Sequence, residues 1–330
     1  MRAAVYTGSG GPEVIKIAEV PTPEPGAEQV LVRVQASGLN RADVLQRMGR
    51  YPAPKGAPAS IPGLEYTGTV EELGPGVTSL KRGQRVFGLV SAGGHAEFIT
   101  SHERLVVPVS DNLDVVQAAS VPESFITAAD ALFVQAGLTP GERVLIHAAA
   151  GGVGTAAVQL AKAAGCAVFA TTRTPGKLQR LAGLGAGFPI DASGQSFAGS
   201  VLEHTGGQGV HVCIDFIGSS YLDQNLAALA TKGRLVLVGV LGGARAPIDF
   251  GVVLNKRLRI VGTVLRSRPI EEKIAATRLF AECVLPQLSK GLVLPVVDRV
   301  FPLDQLADAH RYMESNAPFG KVVISVRSEA

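Results

Sequence analysis

The chain has 330 residues, of which 46% are hydrophobic and 18% are charged. This balance suffices for about two domains with buried cores and excludes an intrinsically disordered protein. Lys and Arg number 31 against 28 for Asp and Glu, and a formal net charge of +3 gives no reason to expect a nucleic-acid or membrane-surface partner.

Cysteine usage and the N-terminal residues predict a soluble protein of the reducing cytoplasm. Cys166, Cys213 and Cys283 are odd in number and far apart, which indicates neither a disulfide framework nor a cysteine-rich metal site. The chain starts without the apolar core of a signal peptide. The longest stretch without formal charge, residues 144–161, contains a glycine cluster typical of a strand, turn and helix rather than of a membrane span.

The first hundred residues have the pattern of a β-rich domain. Polar and apolar side chains alternate in Gln29–Ala36, and Gly and Pro separate further short apolar runs. Only Arg41–Arg47 indicates a short helix. The other predicted strands are Tyr66–Leu73, Arg85–Leu89, Ala96–Thr100 and Arg104–Val107.

From about Val121, strand-sized apolar runs alternate with helix-sized segments. This alternation predicts an α/β fold with a doubly wound parallel sheet that has helices on both faces. The clearest strands are Arg143–Ala148, Ala167–Thr171, Val210–Asp215, Arg234–Val238 and Arg259–Val264. The helical segments are Thr155–Ala164, Pro175–Leu184, Phe197–His204 and Tyr221–Ala230.

The last sixty-odd residues are free to return to the β-rich domain. One long helix is predicted over Ile270–Leu288, followed by a strand around Val293–Val300. A helix over Leu303–Met313 and a final strand over Lys321–Val326 complete the chain.

The most informative segment is a buried strand followed by Ala148-x-x-Gly151-x-x-Gly154 and an alanine-rich helix. The spacing is that of the glycine-rich dinucleotide fingerprint, with Ala at the first position. Small residues let the backbone, including Gly152 and Val153, approach a pyrophosphate, which the helix N-terminus binds. Packing glycines are the alternative, but the strand, turn and helix follow in the order that a dinucleotide site requires.

The end of the next strand distinguishes NAD from NADP. An acidic residue there binds the ribose hydroxyl of NAD, whereas a cation accommodates the additional phosphate of NADP. After Thr172 the chain provides Arg173 and Lys177 and no carboxylate. Solvated charges at a helix start are the alternative, but a helix N-terminus disfavours cations. We therefore expect NADP (NADPH).

Further segments match a known family over essentially the whole chain. They are Ala36–Asp43, Gln46–Tyr51, Pro62–Gly68, Val121–Thr127, Leu265–Arg268 and Gly320–Val323. With the glycine loop, they make the chain resemble the medium-chain dehydrogenase/reductase superfamily, in its zinc-independent quinone oxidoreductase branch.

The resemblance implies a GroES-like catalytic domain of residues 1–120 and 266–330 and a Rossmann domain of residues 121–265, with NADPH in the cleft between them. It also implies a homodimer in which the sixth Rossmann strand, near Arg259–Val264, pairs with its counterpart. That strand is apolar and would otherwise be an exposed edge. One position departs from the family, because relatives often carry a tyrosine near the adenosine phosphate where this chain has Ile190.

The resemblance also assigns site residues. Asn40, Tyr51 and Thr127 match active-site positions, and the Tyr51 phenol could donate a hydrogen bond to a developing oxyanion. The cofactor positions are Asn40, Thr127, Ala148, Gly151, Gly152, Val153, Gly154, Thr172, Arg173, Lys177, Gly239, Leu265, Ser267, Arg268 and Lys321. The structural alternatives are an N-cap for Asn40, a loop aromatic for Tyr51, helix packing for Thr127 and a strand cap for Lys321.

Zinc enzymes of the same superfamily hold the catalytic metal with two Cys and one His. At the corresponding places this chain has Asn40, Leu64 and Glu123, and leucine cannot bind a metal. The six histidines lack metal-binding spacing, so each is expected to be a surface or core histidine, and we expect no zinc. Without a Lewis acid, reduction of a conjugated acceptor is favoured over alcohol oxidation.

The leading hypothesis is therefore an NADPH-dependent quinone oxidoreductase. One alternative is an NADPH-dependent reductase of the C=C bond of enals and enones. Another is a low-turnover NADPH-binding protein of the crystallin or RNA-binding kind, which the absence of a basic stripe with interleaved aromatic residues disfavours.

Overall fold

The computed structural model describes residues 1–194 and 196–326. Within these residues the strands are β1 (Arg2–Tyr6), β2 (Ile15–Glu19), β3 (Gln29–Leu39), β4 (Glu65–Leu73), β5 (Arg85–Leu89), β6 (Phe98–His102), β7 (Val106–Pro108), β8 (Arg143–Ile146), β9 (Ala167–Thr172), β10 (Phe188–Asp191), β11 (Val210–Asp215), β12 (Leu229–Leu237), β13 (Arg259–Gly262), β14 (Val297–Pro302) and β15 (Lys321–Ser325).

The α-helices of the same residues are α1 (Arg41–Arg47), α2 (Val115–Ala119), α3 (Pro122–Ala129), α4 (Gly152–Ala163), α5 (Leu178–Leu184), α6 (Phe197–His204), α7 (Leu222–Ala228), α8 (Phe250–Lys256), α9 (Ile270–Cys283), α10 (Leu285–Ser289) and α11 (Leu306–Glu314). A π-helical segment, Asp130–Gln135, continues α3. None of these helices combines the length and apolar composition that crossing a membrane requires.

Contacts divide the chain into two compact units. The first unit contains Met1–Ile126 and the chain from Leu265 onward, and the second unit contains Thr127–Val264. The first boundary lies inside helix α3, whereas the sequence places it after residue 120. The change of pattern near residue 121 marks the start of this helix rather than a break in the chain.

The first unit is built on a largely antiparallel sheet in the order β14-β15-β3-β4-β5-β7, with β6 also paired to β3. The alternation predicted for β3 is confirmed, because Val32 and Val34 are fully buried while Arg33 and Gln35 are half-buried. Strand β15 lies antiparallel to β3, with Val322 opposite Leu39. This pairing places the start of strand β15 beside the residue that follows β3.

The second unit is a parallel sheet in the order β10-β9-β8-β11-β12-β13. Numbered from the first strand of the unit, this is the 3-2-1-4-5-6 order of the Rossmann fold, so the predicted α/β fold class is confirmed. Val144, Leu145 and Ile146 of β8 are fully buried, as expected for a strand covered on both faces. The order reverses at β8, and ligands of such sheets bind at the carboxyl ends of the strands beside that point.

Among the predicted elements whose bounds differ from the observed ones, two have a visible reason. The single helix predicted over Ile270–Leu288 is wrong, because the helix is interrupted at Val284 and divides into α9 and α10, with Pro286 in the first turn of α10. Proline lacks the N–H that a continuous helix would need there. Strand β12 starts at Leu229 rather than at Arg234, because Leu229 already pairs with Val210 before a register shift brings Arg234 opposite Val212.

Candidate functional site

The turn after strand β8 has the backbone shape of a dinucleotide-binding loop. Ala148 has a φ of +45°, in the left-handed region that costs a residue other than glycine about 1–2 kcal/mol. A Cβ on Gly154 would lie 2.6 Å from the Ala148 carbonyl oxygen and from Ala149 Cα, so glycine is required for helix α4 to pack this closely. Ala148 and Gly154 therefore have the backbone geometry that the dinucleotide fingerprint predicts, and the backbone of Ala148 is strained.

The first turn of helix α4 is open to an anion. Gly151 is its N-cap, no side chain caps it, and the turn contains no acidic residue. The N–H groups of Gly152, Val153 and Gly154 precede the first intrahelical bonds, and they combine with the positive end of the helix dipole. These residues fit the pyrophosphate of a nicotinamide dinucleotide.

A buried chain of hydrogen bonds supports this loop. His147, directly before Ala148, lies 2.8 Å through Nδ1 from Thr171 Oγ1 and 2.7 Å through Nε2 from Asn225 Oδ1. Asn225 Nδ2 donates to Asp215 Oδ2 at 2.9 Å, so Asn225 Oδ1 accepts from His147 Nε2. Burial lowers the pKa of His147 to about 4, which keeps the ring neutral. The chain joins the carboxyl ends of β8, β9 and β11.

The chain after β9 presents the predicted cations. Thr172 ends the strand, and its Oγ1 accepts a hydrogen bond from the Thr174 N–H at 3.2 Å. Arg173 is exposed, and Lys177 ends the short 3₁₀ helix that follows. Burial raises the pKa of Tyr221, and the positive charge of Arg173 opposes that rise. Tyr221 is not among the residues that the sequence predicts for this site.

A buried ion pair organises the site residues of the first unit. Lys321 Nζ donates to Glu65 Oε1 at 2.5 Å, to Asn40 Oδ1 at 2.6 Å and to the Leu39 carbonyl oxygen at 3.2 Å. Asn40 Nδ2 donates to the same Glu65 oxygen at 2.9 Å and to the Gly38 carbonyl oxygen at 3.2 Å. The three hydrogens of the ammonium group are thus used within the protein, and we assign Lys321 to the support of Glu65 and Asn40.

Asn40 is the N-cap residue of helix α1, but its side chain serves the ion pair. Its backbone N–H donates to Asp43 Oδ2 at 2.9 Å. Gly38 is required beside it, because a Cβ there would collide with Glu65 Oε1. The N-cap alternative is therefore correct for the backbone of Asn40, and the side chain has a second role that the sequence did not reveal.

Glu123 adds a third carboxyl to this cluster. Its backbone N–H donates to Glu65 Oε2 at 2.8 Å, from the first turn of helix α3. Its half-buried carboxyl group receives no hydrogen bond from the described residues. Burial, reinforced by the negative charge of Glu65, raises the pKa of Glu123 to about 8, although Lys321 and Arg266 oppose the rise.

Arg266 is the principal residue that sequence reasoning missed. It is buried, with Nε donating to the Ser91 carbonyl oxygen at 2.7 Å and Nη1 to the Tyr51 carbonyl oxygen at 3.1 Å. Its Nη2 donates to Gln46 Oε1, and its Cζ lies 5.0 Å from the centre of the Tyr51 ring. Burial raises the pKa of Tyr51 above its ordinary value. Arg266 thus holds Tyr51 in place through contacts with both the backbone and the aromatic ring of Tyr51.

The remaining predicted residues are placed as follows. Thr127 lies on helix α3, buried, with no hydrogen-bond partner for Oγ1 among the described residues. Gly239 follows β12, and its N–H donates to the Asp215 carbonyl oxygen at 3.3 Å. Leu265 is buried, whereas Ser267 is exposed and Arg268 is half-buried. Their contacts with a cofactor stay predictions.

The residues at the zinc positions do not fit a zinc ion. Leu64 is buried and has no donor atom, and Asn40 Oδ1 already accepts from Lys321. The described residues contain no group of three or more His, Cys, Asp or Glu that could hold a metal ion. His95, His147 and His310 are buried core histidines, as the sequence predicts for histidines without ligand spacing.

Two family models match the chain. The model described as alcohol dehydrogenase GroES-like domain matches residues 26–111, and the model described as zinc-binding dehydrogenase matches residues 152–282. The second description names a metal, but the described residues at the zinc positions do not provide the ligands for it.

The chain is also similar to proteins over nearly its whole length. It is 33% identical to a quinone oxidoreductase of Rattus norvegicus, covering 98% of this chain and 97% of that protein. It is 34% identical to a 2-haloacrylate reductase of Burkholderia sp, covering 98% of both. A mycobacterial protein solved in complex with NADPH superposes with a TM-score of 0.88 at 30% identity, covering 98% of this chain and all of that one.

The Rossmann-type unit with its glycine loop, the GroES-like unit and these similarities over the full length agree. The chain belongs to the medium-chain dehydrogenase/reductase superfamily, as an oxidoreductase with quinone oxidoreductases among its relatives.

Proposed function

We propose that this protein is a zinc-independent, NADPH-dependent quinone oxidoreductase of the cytoplasm. The observation that carries the proposal is the set of side chains at the zinc positions of the first unit. Leu64 has no donor atom, and Asn40 Oδ1 already accepts a hydrogen bond, so neither side chain serves as a metal ligand. Such a site cannot stabilise an alkoxide by Lewis-acid chemistry. Reduction of a conjugated ring is less demanding, because the developing negative charge is delocalised over that ring. A cytoplasmic location suits the free cysteines Cys166, Cys213 and Cys283.

The preference for NADPH is supported by the end of strand β9. Arg173 is exposed there, and no acidic residue takes its place. A guanidinium group binds phosphate through several charge-assisted hydrogen bonds. The family member solved with NADPH is consistent with this assignment.

The residues of the protein have separable tasks in this reaction. The bound cofactor supplies the hydride. Gly152, Val153 and Gly154 bind its pyrophosphate, and the His147 chain of hydrogen bonds keeps their loop in place. In the first unit, Arg266 fixes Tyr51, whose phenol can donate a hydrogen bond to the oxygen of the acceptor.

A second candidate function is reduction of an activated C=C bond. It is favoured by the similarity to the 2-haloacrylate reductase over the whole chain. The two functions share hydride donation and differ in the atom that takes the proton, which is an oxygen in a quinone and the α-carbon in an enone.

We also propose a homodimer formed through the edge of the Rossmann sheet. Among the described residues, strand β13 pairs with β12 alone, and Ile260 on it is 39% exposed. Helix α8, which leads into β13, exposes Phe250 at 69% and Leu254 at 75%. An apolar edge with adjacent apolar side chains is a pairing surface, and two-fold pairing of equivalent edges would bury it.

The cofactor preference predicts a selective effect of Arg173→Ala. The dissociation constant for NADPH should rise about tenfold or more, since a charge-assisted phosphate contact contributes about 1.5–3 kcal/mol. Binding of NADH should change little, and fluorescence titration measures both. The matched control is Arg180→Ala, which removes another exposed arginine of the same unit. Equal losses for both cofactors would contradict the assignment.

The proposed reaction predicts a pattern of acceptors. NADPH should be oxidised rapidly by a naphthoquinone in stopped-flow measurements, and simple secondary alcohols with NADP⁺ should give no turnover. Treatment with a strong chelator should leave the quinone rate unchanged, since no group of the described residues fits zinc. Activity lost on chelation and restored by zinc would contradict the proposal. Turnover of an alkenal with none for any quinone would favour the C=C reductase instead.

The dimer proposal predicts a change of mass for Leu254→Asp. Sedimentation should show twice the mass of the chain for the unaltered protein and a single chain for the variant, because a charge placed on the apolar edge opposes pairing. Leu292→Asp changes a leucine of similar exposure, 68%, in the other unit and should leave the mass unchanged. An unaltered protein that sediments as one chain would contradict the proposal.

A further inference from the structure

The carboxyl groups of Asp43, Glu65 and Glu123 belong to one buried cluster of the first unit, and those of Asp43 and Glu65 accept hydrogen bonds. Asp43 accepts the N–H of Asn40 at 2.9 Å and that of Gly63 at 3.0 Å. Glu65 accepts from Lys321 and Asn40 on one oxygen and from the Glu123 N–H on the other. The carboxyl group of Glu123 accepts nothing from the described residues, and Glu123 is half-buried whereas Asp43 and Glu65 are fully buried.

The charges of the cluster favour a neutral Glu123. The groups that act on it are the acids Glu65 and Asp43 and the cations Lys321 and Arg266, so three acids face two cations. Burial disfavours excess charge, and one acid should therefore keep its proton. Asp43 and Glu65 each accept at least two hydrogen bonds, whereas Glu123 accepts none from the described residues. Burial raises the pKa of Asp43 as well, but its two backbone hydrogen bonds oppose that rise, so Glu123 is the acid whose charge has the least support.

The cluster also holds Glu123 in place. Its backbone is tied to Glu65 Oε2, and Glu65 is fixed in turn by Lys321 and Asn40. An ionised carboxylate in the first turn of a helix would normally be favoured by the helix dipole. Burial and the negative charge of Glu65 act in the opposite direction and raise the pKa of Glu123 to about 8.

Glu123 is a better acid at neutral pH than the Tyr51 phenol. Burial raises the pKa of Tyr51 above its ordinary value of 10; the positive charge of Arg266 opposes this rise, and the negative charge of Glu123 adds to it. The phenol is therefore suited to a hydrogen bond, and the carboxylic acid is suited to proton transfer.

Resting on the proposed function, we propose that Glu123 is the general acid of the reaction, positioned by Glu65, Lys321 and Asn40. A quinone that accepted a hydride, with its electron pair, from NADPH would become a hydroquinone anion and leave NADP⁺. The O–H bond of Glu123 then breaks as a new O–H bond forms on the anion. The resulting Glu123 carboxylate takes a proton from water before the next turnover.

The test is the pH profile of quinone reduction in Glu123→Gln. In the unaltered protein, kcat/KM should be constant below pH 8 and fall above it, as the acid loses its proton. The variant should lose about 10²-fold in kcat/KM near neutral pH, the lower end for a positioned acid, and should lose the inflection near pH 8. Its dissociation constant for NADPH should be unchanged.

Two further variants keep the result decisive. Glu123→Asp retains an acid and should recover part of the rate together with a pH inflection. Glu72→Gln removes an exposed carboxylate of the same unit and should change neither the rate nor the profile. A Glu123→Gln profile identical to that of the unaltered protein would overturn the acid role while leaving the proposed function intact.

Infrared titration of the Glu123 carboxyl group separates the remaining outcomes. A protonated carboxyl band that disappears with a midpoint near pH 8, and that is absent in Glu123→Gln, supports the proposal. Ionisation in the ordinary range of about 4 would overturn it whatever the kinetics show. A midpoint near pH 8 without turnover of any quinone or enone would contradict the proposed function, and the acid role with it.

Discussion

The buried ion pair between Lys321 and Glu65 is the constraint on which the site of the first unit depends. The pair joins strand β15 to strand β4. Asn40, which follows β3, and the backbone of Glu123, in helix α3, bind the same carboxylate. Breaking one partner of a buried pair costs about 3–5 kcal/mol, because the other charge remains buried. Lys321, Glu65 and Asn40 are thus held together by a strong penalty for separating them.

This constraint links the fold to the chemistry. Zinc enzymes of the superfamily handle charge at this place with a metal ion, for which the described residues provide no ligand set. They provide instead a cation, Lys321, that is paired with Glu65, and an acid, Glu123, whose carboxyl group accepts no hydrogen bond from them. The pairing uses the hydrogens of Lys321 and lets the charge of Glu65 act on Glu123. Under the proposed function, such a site would deliver the proton that a quinone requires along with a hydride.

The fold and the glycine loop could be predicted from the sequence because both depend on local patterns. Alternating strands and helices, and the spacing of Ala148, Gly151 and Gly154, are visible in the chain itself. The left-handed φ of Ala148 was less evident, since alanine rarely adopts it. The break at Val284 was missed although Pro286 was visible, because proline is tolerated in the first turn of a new helix.

The polar networks could not be predicted, because their members are distant in sequence. Arg266 lies between predicted cofactor residues, yet its partners Gln46, Tyr51 and Ser91 are some 175 to 220 positions earlier. His147 offered one local signal, a histidine inside a charge-free strand and turn, but its partners Asn225 and Thr171 come from other elements. Such contacts depend on which strands lie side by side in the sheet. The sequence alone does not show that order.

The measurement that tests this account most directly is the titration of the Glu123 carboxyl group in two variants with opposite charge changes. In Glu65→Gln the loss of a negative charge should move the midpoint below pH 8, and in Lys321→Met the loss of a positive charge should move it above pH 8. Gln and Met are close to the original side chains in volume, so thermal unfolding can establish that each variant is folded. A midpoint unmoved from pH 8 in both folded variants would contradict the claim that the Lys321–Glu65 pair controls Glu123.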